Sequence, residues 1–489
     1  MTAPLVRGRA TGRGPGGPAR PAPGVAVEWV GPLFRQAGDV RGDIAGFAGA
    51  AVRGPVGVPL RLSAAAEFDD AFGPPAADSF LADAVHGFFA NGGETCWVVR
   101  VARDATTATA VAPGIAFAAH SPGAWANHLR IELRPSAGDR FTLTLTAPDG
   151  RREVWRNLTA ETLPERFDPK AELPQGKSQS TMSVLVEAKI VDGTITAFDT
   201  QLLGGHDGET TADDLAVAAV FEEIDEIGLV AVPDLAAPRF DPGVIGEAQA
   251  RLAAACEERH DRTALLNHPD PDALADDVIG WRQRFTTAFA AIYWPWLRTA
   301  GVRAIPPCGH VAGVVSRSDQ AAGPHKPPAN EPVLGVVGVT VPVDDERHGQ
   351  VNEAQVNAIR VVPGRGIRVA GARTTSGDTQ WRYLNVRRLF THVQRTLAGR
   401  AAWLVFEPDN QGMRDNLERV TRQYLDELWR DGALDGRTEE EAYRVRIGDE
   451  FDGRLIVEIG LRPPWPAEFV VARIDVPVLA EGGGRAGDR

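Results

Sequence analysis

The side chains that could do chemistry in this chain are few and scattered. His310 and His325 flank a proline-rich stretch, with Cys308 just before the first and Asp207 far upstream. A histidine becomes a general base or a metal ligand when a carboxylate or thiolate orients it. Pro306-Pro307 and Pro327-Pro328 border these two, and neither has a second ligand at helical spacing, so both are expected in loops with ordinary hydrogen bonds. Asp344-Asp345-Glu346 reads as a solvated acidic turn rather than a catalytic pair. Gly364-Arg365-Gly366 has the look of a dinucleotide turn. However, its third glycine is misplaced, Pro363 precedes it, and no acidic residue closes a βαβ unit behind it. There is no phosphate loop, nucleophile elbow, His-Glu-x-x-His helix or Cys-x-x-Cys pair. Arg41-Gly42-Asp43 and Asn157-Leu158-Thr159 match short adhesion and glycan patterns by chance, in a chain with 52 glycines and mostly arginine as its base. No catalytic, cofactor-binding or metal-ligating residue is therefore assigned, and no cofactor is expected. A soluble α/β enzyme using Asp207, His310 or His325 stays open as a weaker alternative, and it requires those groups to meet in one concave pocket.

The elements around these residues carry more information. Residues 1–23 are mainly Gly, Pro, Arg and Ala and should not bury a core. Val25 to Val30 then forms a β-prone run closed by Gly31-Pro32. Ile44 to Gly49 and Cys96 to Val101 read as buried strands, with a helix between them that buries Phe80, Leu81, Val85 and Phe88 and stops at Asn91-Gly92-Gly93. From 103 to 203 the texture turns to alternating strands, Phe141 to Thr146 most clearly, which predicts a β-rich inserted domain. Helices over Leu215–Ile224 and Val244–Glu258 then alternate with strands over Gly228–Val232 and Thr263–Leu266, as in a partly parallel sheet covered by helices. Farther on come a helix from Trp381 to Leu397, a strand from Ala401 to Glu407, and a helix bearing Met413, Leu417, Val420, Tyr424 and Leu428 at steps of three and four. Strands near Leu455–Gly460 and Glu468–Ile474 precede a Gly-rich tail. The expected organisation is an arm over 1–30, an α/β body over 31–102 and 204–363 split by the insertion 103–203, a C-terminal domain over 364–478 and a tail over 479–489.

Composition narrows the class. The 489 residues allow about three domains. Three cysteines, Cys96, Cys256 and Cys308, are too few for a disulfide framework. No run is long and apolar enough for a membrane span, and the arginine-bearing N-terminus lacks the apolar stretch of a signal peptide. A net charge of −13 argues against a general nucleic-acid binder. The expectation is a large acidic protein made in the cytoplasm. A strand on a tether at each end can complete a neighbour's sheet by main-chain hydrogen bonds, or it can pair at home. Donation to a different surface propagates as a ring or helix instead of closing as a dimer.

Longer blocks carry a resemblance. Pro23-Gly24-Val25-Ala26-Val27-Glu28, Leu81 through Val101, Gly204 to Gly208 and Val232-Pro233-Asp234 are followed by Pro306 to Gly313 and His325 to Glu331. Gly364 to Val369, Gly371 to Thr374, Trp381 to Leu389 and Pro466 to Val471 complete the set. Together these resemble the sheath proteins of contractile phage tails and related contractile injection systems. The resemblance implies a multidomain α/β sheath-type fold with a C-terminal polymerisation domain and extended arms. It also implies a subunit of stacked hexameric rings around an inner tube, which a baseplate trigger contracts to drive the tube into a target. The implied partners are further copies of the chain, an inner tube protein, and baseplate and terminal cap proteins, with no nucleic acid and no membrane insertion. Val25, Val27, Trp29, Phe469, Val471 and Arg473 are the expected subunit-linking residues, and Arg414, Arg419 and Arg422 the expected inner-tube contacts. A non-contractile scaffold polymer would share the arms. The first arm is longer than the family's leader, the 103–203 insertion has no matching block, and both sheath halves lie in one chain, unlike the two-chain sheath of type VI secretion.

Overall fold

The computed structural model describes residues 41–168, 182–191, 194–219, 221–301, 303–401, 410–449, 454–464 and 470–477. Its centre is an eight-stranded sheet. The strands are β1 (Ala45–Gly49), β2 (Leu60–Leu62), β3 (Cys96–Arg100), β4 (Leu229–Ala231), β5 (Thr263–Asn267), β6 (Ala290–Trp294), β7 (Val356–Val362) and β8 (Gly366–Val369). They lie in the order β8-β7-β6-β5-β4-β1-β3-β2. Pairing is parallel from β7 through β3 and antiparallel at both edges. β1, β4, β5 and β6 are buried along their whole length, as a parallel strand covered on both faces must be. Alternate residues feed two cores: Ala290, Ile292 and Trp294 enter one, Ala291 and Tyr293 the other.

Helix α2 (Pro242–Arg259) covers the first face through Ile245, Ala248 and Leu252. Helices α1 (Leu81–Ala90) and α3 (Cys308–Ala322) cover the second. α1 and α3 cross closely because glycines line the crossing. A Cβ at Gly309 would strike Ala84, one at Gly313 the carbonyl of Phe88, and one at Gly87 the ring of His310. His310 is thus in a helix, not the loop that the flanking prolines suggested. Pro306-Pro307 stands ahead of the first turn, where the N–H that proline lacks has no intrahelical partner to lose.

The inserted region forms two antiparallel sheets on one core. The strands 198–201, 130–135, 141–146 and 152–158 make one sheet, and 109–112, 115–119 and 186–190 the other. Phe141, Leu143 and Leu145 point inward at every second position beside Ile131 of the neighbouring strand, with Ile115 and Phe117 of the other sheet in the same cluster. The last part of the chain packs helix α4 (Leu384–Arg400) and helix α5 (Gln411–Arg430) on a three-stranded sheet. The strand expected over Ala401–Glu407 falls largely on 402–409, outside the described residues, as do the arm 1–30 and the tail.

Candidate assembly interface

The C-terminal sheet holds β9 (Tyr443–Asp449), β10 (Arg454–Leu461) and β11 (Val470–Pro477) in that order, all antiparallel. β10 is enclosed: Tyr443 pairs with Leu461 on one side, and Leu461 with Val470 on the other. Among the described residues no further strand joins the outer edge of β9 or of β11. Each edge therefore offers a row of main-chain donors and acceptors that an incoming strand can use. Two of the expected linking residues lie on this sheet, Val471 opposite Gly460 and Arg473 opposite Glu458. Phe469, Val25, Val27 and Trp29 lie outside the described residues. β9 alternates in the way a half-buried edge should, with Tyr443 and Val445 inward and Arg444 and Arg446 outward.

α5 supports this sheet. Asn410 caps it by accepting from the Met413 N–H at 2.9 Å. Met413, Leu417, Thr421, Tyr424 and Leu425 are its buried stripe, repeating every three or four residues. Of the three expected tube-contact arginines, Arg419 is exposed, while Arg414 and Arg422 are half-buried. Arg422 donates to Glu418 at 2.8 Å and to Glu439 at 3.0 Å, and Arg419 donates to Asn416 at 2.7 Å. The hydrogen bond to Glu418 holds the Arg422 guanidinium above its ordinary value. Asp415, Glu418 and Asp426 share a shallow groove with Arg419 and Arg422, so this surface mixes both signs of charge.

α4 joins the C-terminal module to the body through arginines that sequence reading passed over. Arg388 is buried and donates through both terminal nitrogens to the carboxylate of Asp319 on α3, at 2.7 Å for one of them. The same side chain donates to the carbonyl of Gly42 at 2.8 Å. Arg395 donates to the carbonyl of Asp225, and the Arg387 guanidinium lies over Phe289 at 4.6 Å and Trp381 at 4.3 Å. One sequence signal was available. Leu384–Arg400 contains Arg387, Arg388, Arg395 and Arg400 and no acidic residue, so the carboxylate that pairs with it has to come from another element.

The groups that suggested an enzyme stand apart. Asp207 accepts from the Ala124 N–H at 2.7 Å and clasps the inserted domain. His310 lies between α1 and α3, where burial pushes its ring down to about 4. His325 sits in the loop after α3, and its carbonyl accepts from Asn385 at 2.8 Å. Open α/β sheets usually hold ligands where strand order reverses, at the carboxyl ends of the strands. Beyond β1 and β4 that place is filled by Asp234, which is wholly buried. It accepts from the N–H groups of Ala50 at 2.7 Å and Phe80 at 2.6 Å, and from the Ser79 hydroxyl. Burial pushes its carboxyl above the usual range, against the pull of these donors. Gly364-Arg365-Gly366 forms the tip of the β7–β8 hairpin. Asp344 caps the helix Asp345–Glu353, and Arg41 is tied to Asp43 and Glu94. Among the described residues, no three His, Cys, Asp or Glu side chains gather as a metal-ligand set.

Comparison with known proteins agrees with this architecture. Residues 208–375 match the phage tail sheath protein central domain, and residues 376–477 match the phage tail sheath C-terminal domain. Together they take in more than half of the chain. A tail sheath protein of Salmonella phage ViI is 23% identical over 207 residues, 40% of this chain and 33% of that protein, so the match spans about a third of the relative's length. The fold is shared with a sheath tail protein from Listeria innocua at 15% identity and a TM-score of 0.68, covering 91% of this chain and 96% of that one. It is also shared with the sheath of an extracellular contractile injection system, the PVC sheath complex in its contracted state. That match has 21% identity and a TM-score of 0.56, covering 94% and 97% of the two chains.

Proposed function

The chain belongs to the phage tail sheath family, and from that premise we propose that it is the structural subunit of a contractile sheath. It polymerises as stacked hexameric rings around an inner tube and contracts to drive that tube into a target. The observation that carries this reading is the C-terminal sheet, whose two outer edges are unpaired among the described residues, in a chain with strand-forming segments near both ends. Val25, Val27 and Trp29 of one copy supply a linking strand to an open edge of another copy's C-terminal sheet, where Phe469, Val471 and Arg473 mark the strand that receives it, a heterologous contact that extends into a polymer. Arg414, Arg419 and Arg422 face the inner tube. Baseplate and cap proteins close the two ends. Residues 1–30 act as the arm, 31–102 and 204–363 as the body, 103–203 as an outward insertion, and 364–478 as the polymerising domain. Among the described residues no helix is long and apolar enough to cross a membrane.

Electron microscopy of the purified full-length protein, alone and with its tube protein, tests the reading. Tubes or cogwheel rings are expected, and two sheath diameters should appear on triggering. Persistent monomers under both conditions would sink the proposal, and a single invariant lattice would favour a static scaffold. Removing residues 1–30 should leave a folded subunit that builds no extended sheath. Normal assembly and contraction of that variant would refute strand donation by the arm.

A further inference from the structure

A cavity of about 530 Å³ opens between the end of α3, the start of α4 and the C-terminal module. Ala322, Pro327, Ala329, Ala372 and Pro464 give it a largely apolar lining. Asn385 also lines it, with only 1% of its surface exposed. The Asn385 amide nitrogen donates to the His325 carbonyl, while its oxygen has no hydrogen-bond partner. The hydrogen bond to His325 fixes the loop wall of the cavity, and apolar side chains filling the space beside it would gain buried surface.

The position of the first described residues supplies the occupant. Arg388, which holds the Gly42 carbonyl, follows Asn385 by one helical turn on α4. Asp319, which holds Arg388, precedes Ala322 by one turn on α3. Residues so spaced share a helix face, so the chain is pinned at Gly42 about one turn from the cavity's rim. Forty residues precede Arg41, and within them Leu33-Phe34 is the adjacent large apolar pair nearest to the pin. An extended chain from Gly42 to Phe34 reaches up to roughly 26 Å, several times a helical turn of about 5.4 Å. We propose that Leu33 and Phe34 dock in this cavity of their own subunit, against its apolar lining. The arm is then anchored at its root, with Val25 to Val30 starting from a fixed point on the surface. The contact is intramolecular and does not depend on polymerisation.

Oxidative cross-linking of the full-length, unassembled protein tests this. The native Cys96, Cys256 and Cys308 are buried and leave introduced thiols distinguishable. A variant carrying Phe34→Cys and Ala329→Cys should form a disulfide within one chain, detected by mass spectrometry on the monomer. No disulfide would overturn the proposal, and so would one joining two chains, which would give the cavity to a second copy. In a second measurement, Leu33→Ser/Phe34→Ser should accelerate hydrogen exchange over residues 325–330 and 370–374 by about tenfold or more, from the loss of buried apolar surface. Unchanged exchange would overturn it. Intact cross-linking in a protein that never forms sheaths would sink the proposed function and leave this contact standing.

Discussion

Replacing Arg388 with methionine should loosen the whole C-terminal module. The substitution keeps most of the side-chain volume and removes three hydrogen bonds: two to Asp319 and one to Gly42. Both partners of the ion pair are buried, their side chains 4% and 8% exposed, so water replaces little of what is lost. Burial already pushes the Asp319 carboxyl up against the pull of Arg388, and without the guanidinium the main opposing pull is gone. Removing one member of a buried pair costs about 3–5 kcal/mol. At about 1.4 kcal/mol per tenfold, amide exchange in α4 should rise roughly a hundred- to several-thousandfold in Arg388→Met. Asp319→Leu alone should be comparably harmful, because it strands the arginine. The double variant, with neither charge, should recover most of the loss, since apolar replacement of a buried pair is often neutral. The assay is hydrogen exchange over residues 384–400 on unassembled subunits of all four proteins. Strictly additive costs, or a change below about threefold in Arg388→Met, would refute the view that this pair locks the module to the body.

The remaining predictions concern buried groups in the body. His310 is 4% exposed and is pushed down to about 4 by burial, from 6.5. Its contribution is therefore complete above about pH 6.5 and is lost as pH falls toward 4, because the unfolded chain takes up the proton first. At pH 5 the loss is about 2 kcal/mol, from about 1.36 kcal/mol per unit. Urea midpoints measured from pH 7 to pH 4.5 should fall less steeply in His310→Gln, and equal slopes would rule out this origin. Burial also raises the thiols of Cys256 and Cys308 to about 12 and that of Cys96 further still. The native protein should resist an aromatic disulfide reagent at pH 8 while the denatured chain releases all its thiols, and rapid native labelling would contradict the burial.

Sequence pattern identified elements wherever periodicity was unambiguous. The strand expected over Phe141–Thr146 has the same bounds in the structure, because one face is buried and every second residue is apolar. The helix read from Met413 onward lies inside α5 for the same kind of reason at helical spacing. The helix expected from Trp381 begins at Leu384, because Asp378 caps a separate short turn over Thr379–Trp381. β6 gave no usable signal, since Ala290-Ala291-Ile292-Tyr293-Trp294 is buried on both faces and shows no alternation. α3 was hidden by the prolines before it and by glycines that appear to break helices but here serve the α1 crossing. At the candidate interface, the strands around Leu455 and Val470 were legible as β-branched runs. The Arg388–Asp319 pair was not, because its members are far apart in sequence and no local spacing links them.

That pair also bears on where a sheath built from this chain can change shape. The body encloses two apolar cores around one sheet, and the module's core is continuous with α4, whose arginines reach Asp319, Asp225 and Gly42 in the body. Bending the subunit at this joint would expose a buried charge pair, at a cost comparable to removing one partner. A contact along an outer edge of the C-terminal sheet uses main-chain hydrogen bonds to a tethered strand. It can rotate without separating if the tether lengthens or turns. On the proposed strand donation, the cheaper motion is therefore between subunits, with each chain moving as a rigid block and the donated strands as the turning points. This ordering makes a specific demand on the variants above. Arg388→Met should destabilise the isolated subunit while sheaths made from it still reach both diameters, whereas deleting Gly31-Pro32, between the donated strand and the docked Leu33-Phe34 pair, should leave subunit stability unchanged and block the transition. The opposite pattern would place the moving joint inside the subunit, between α4 and the body.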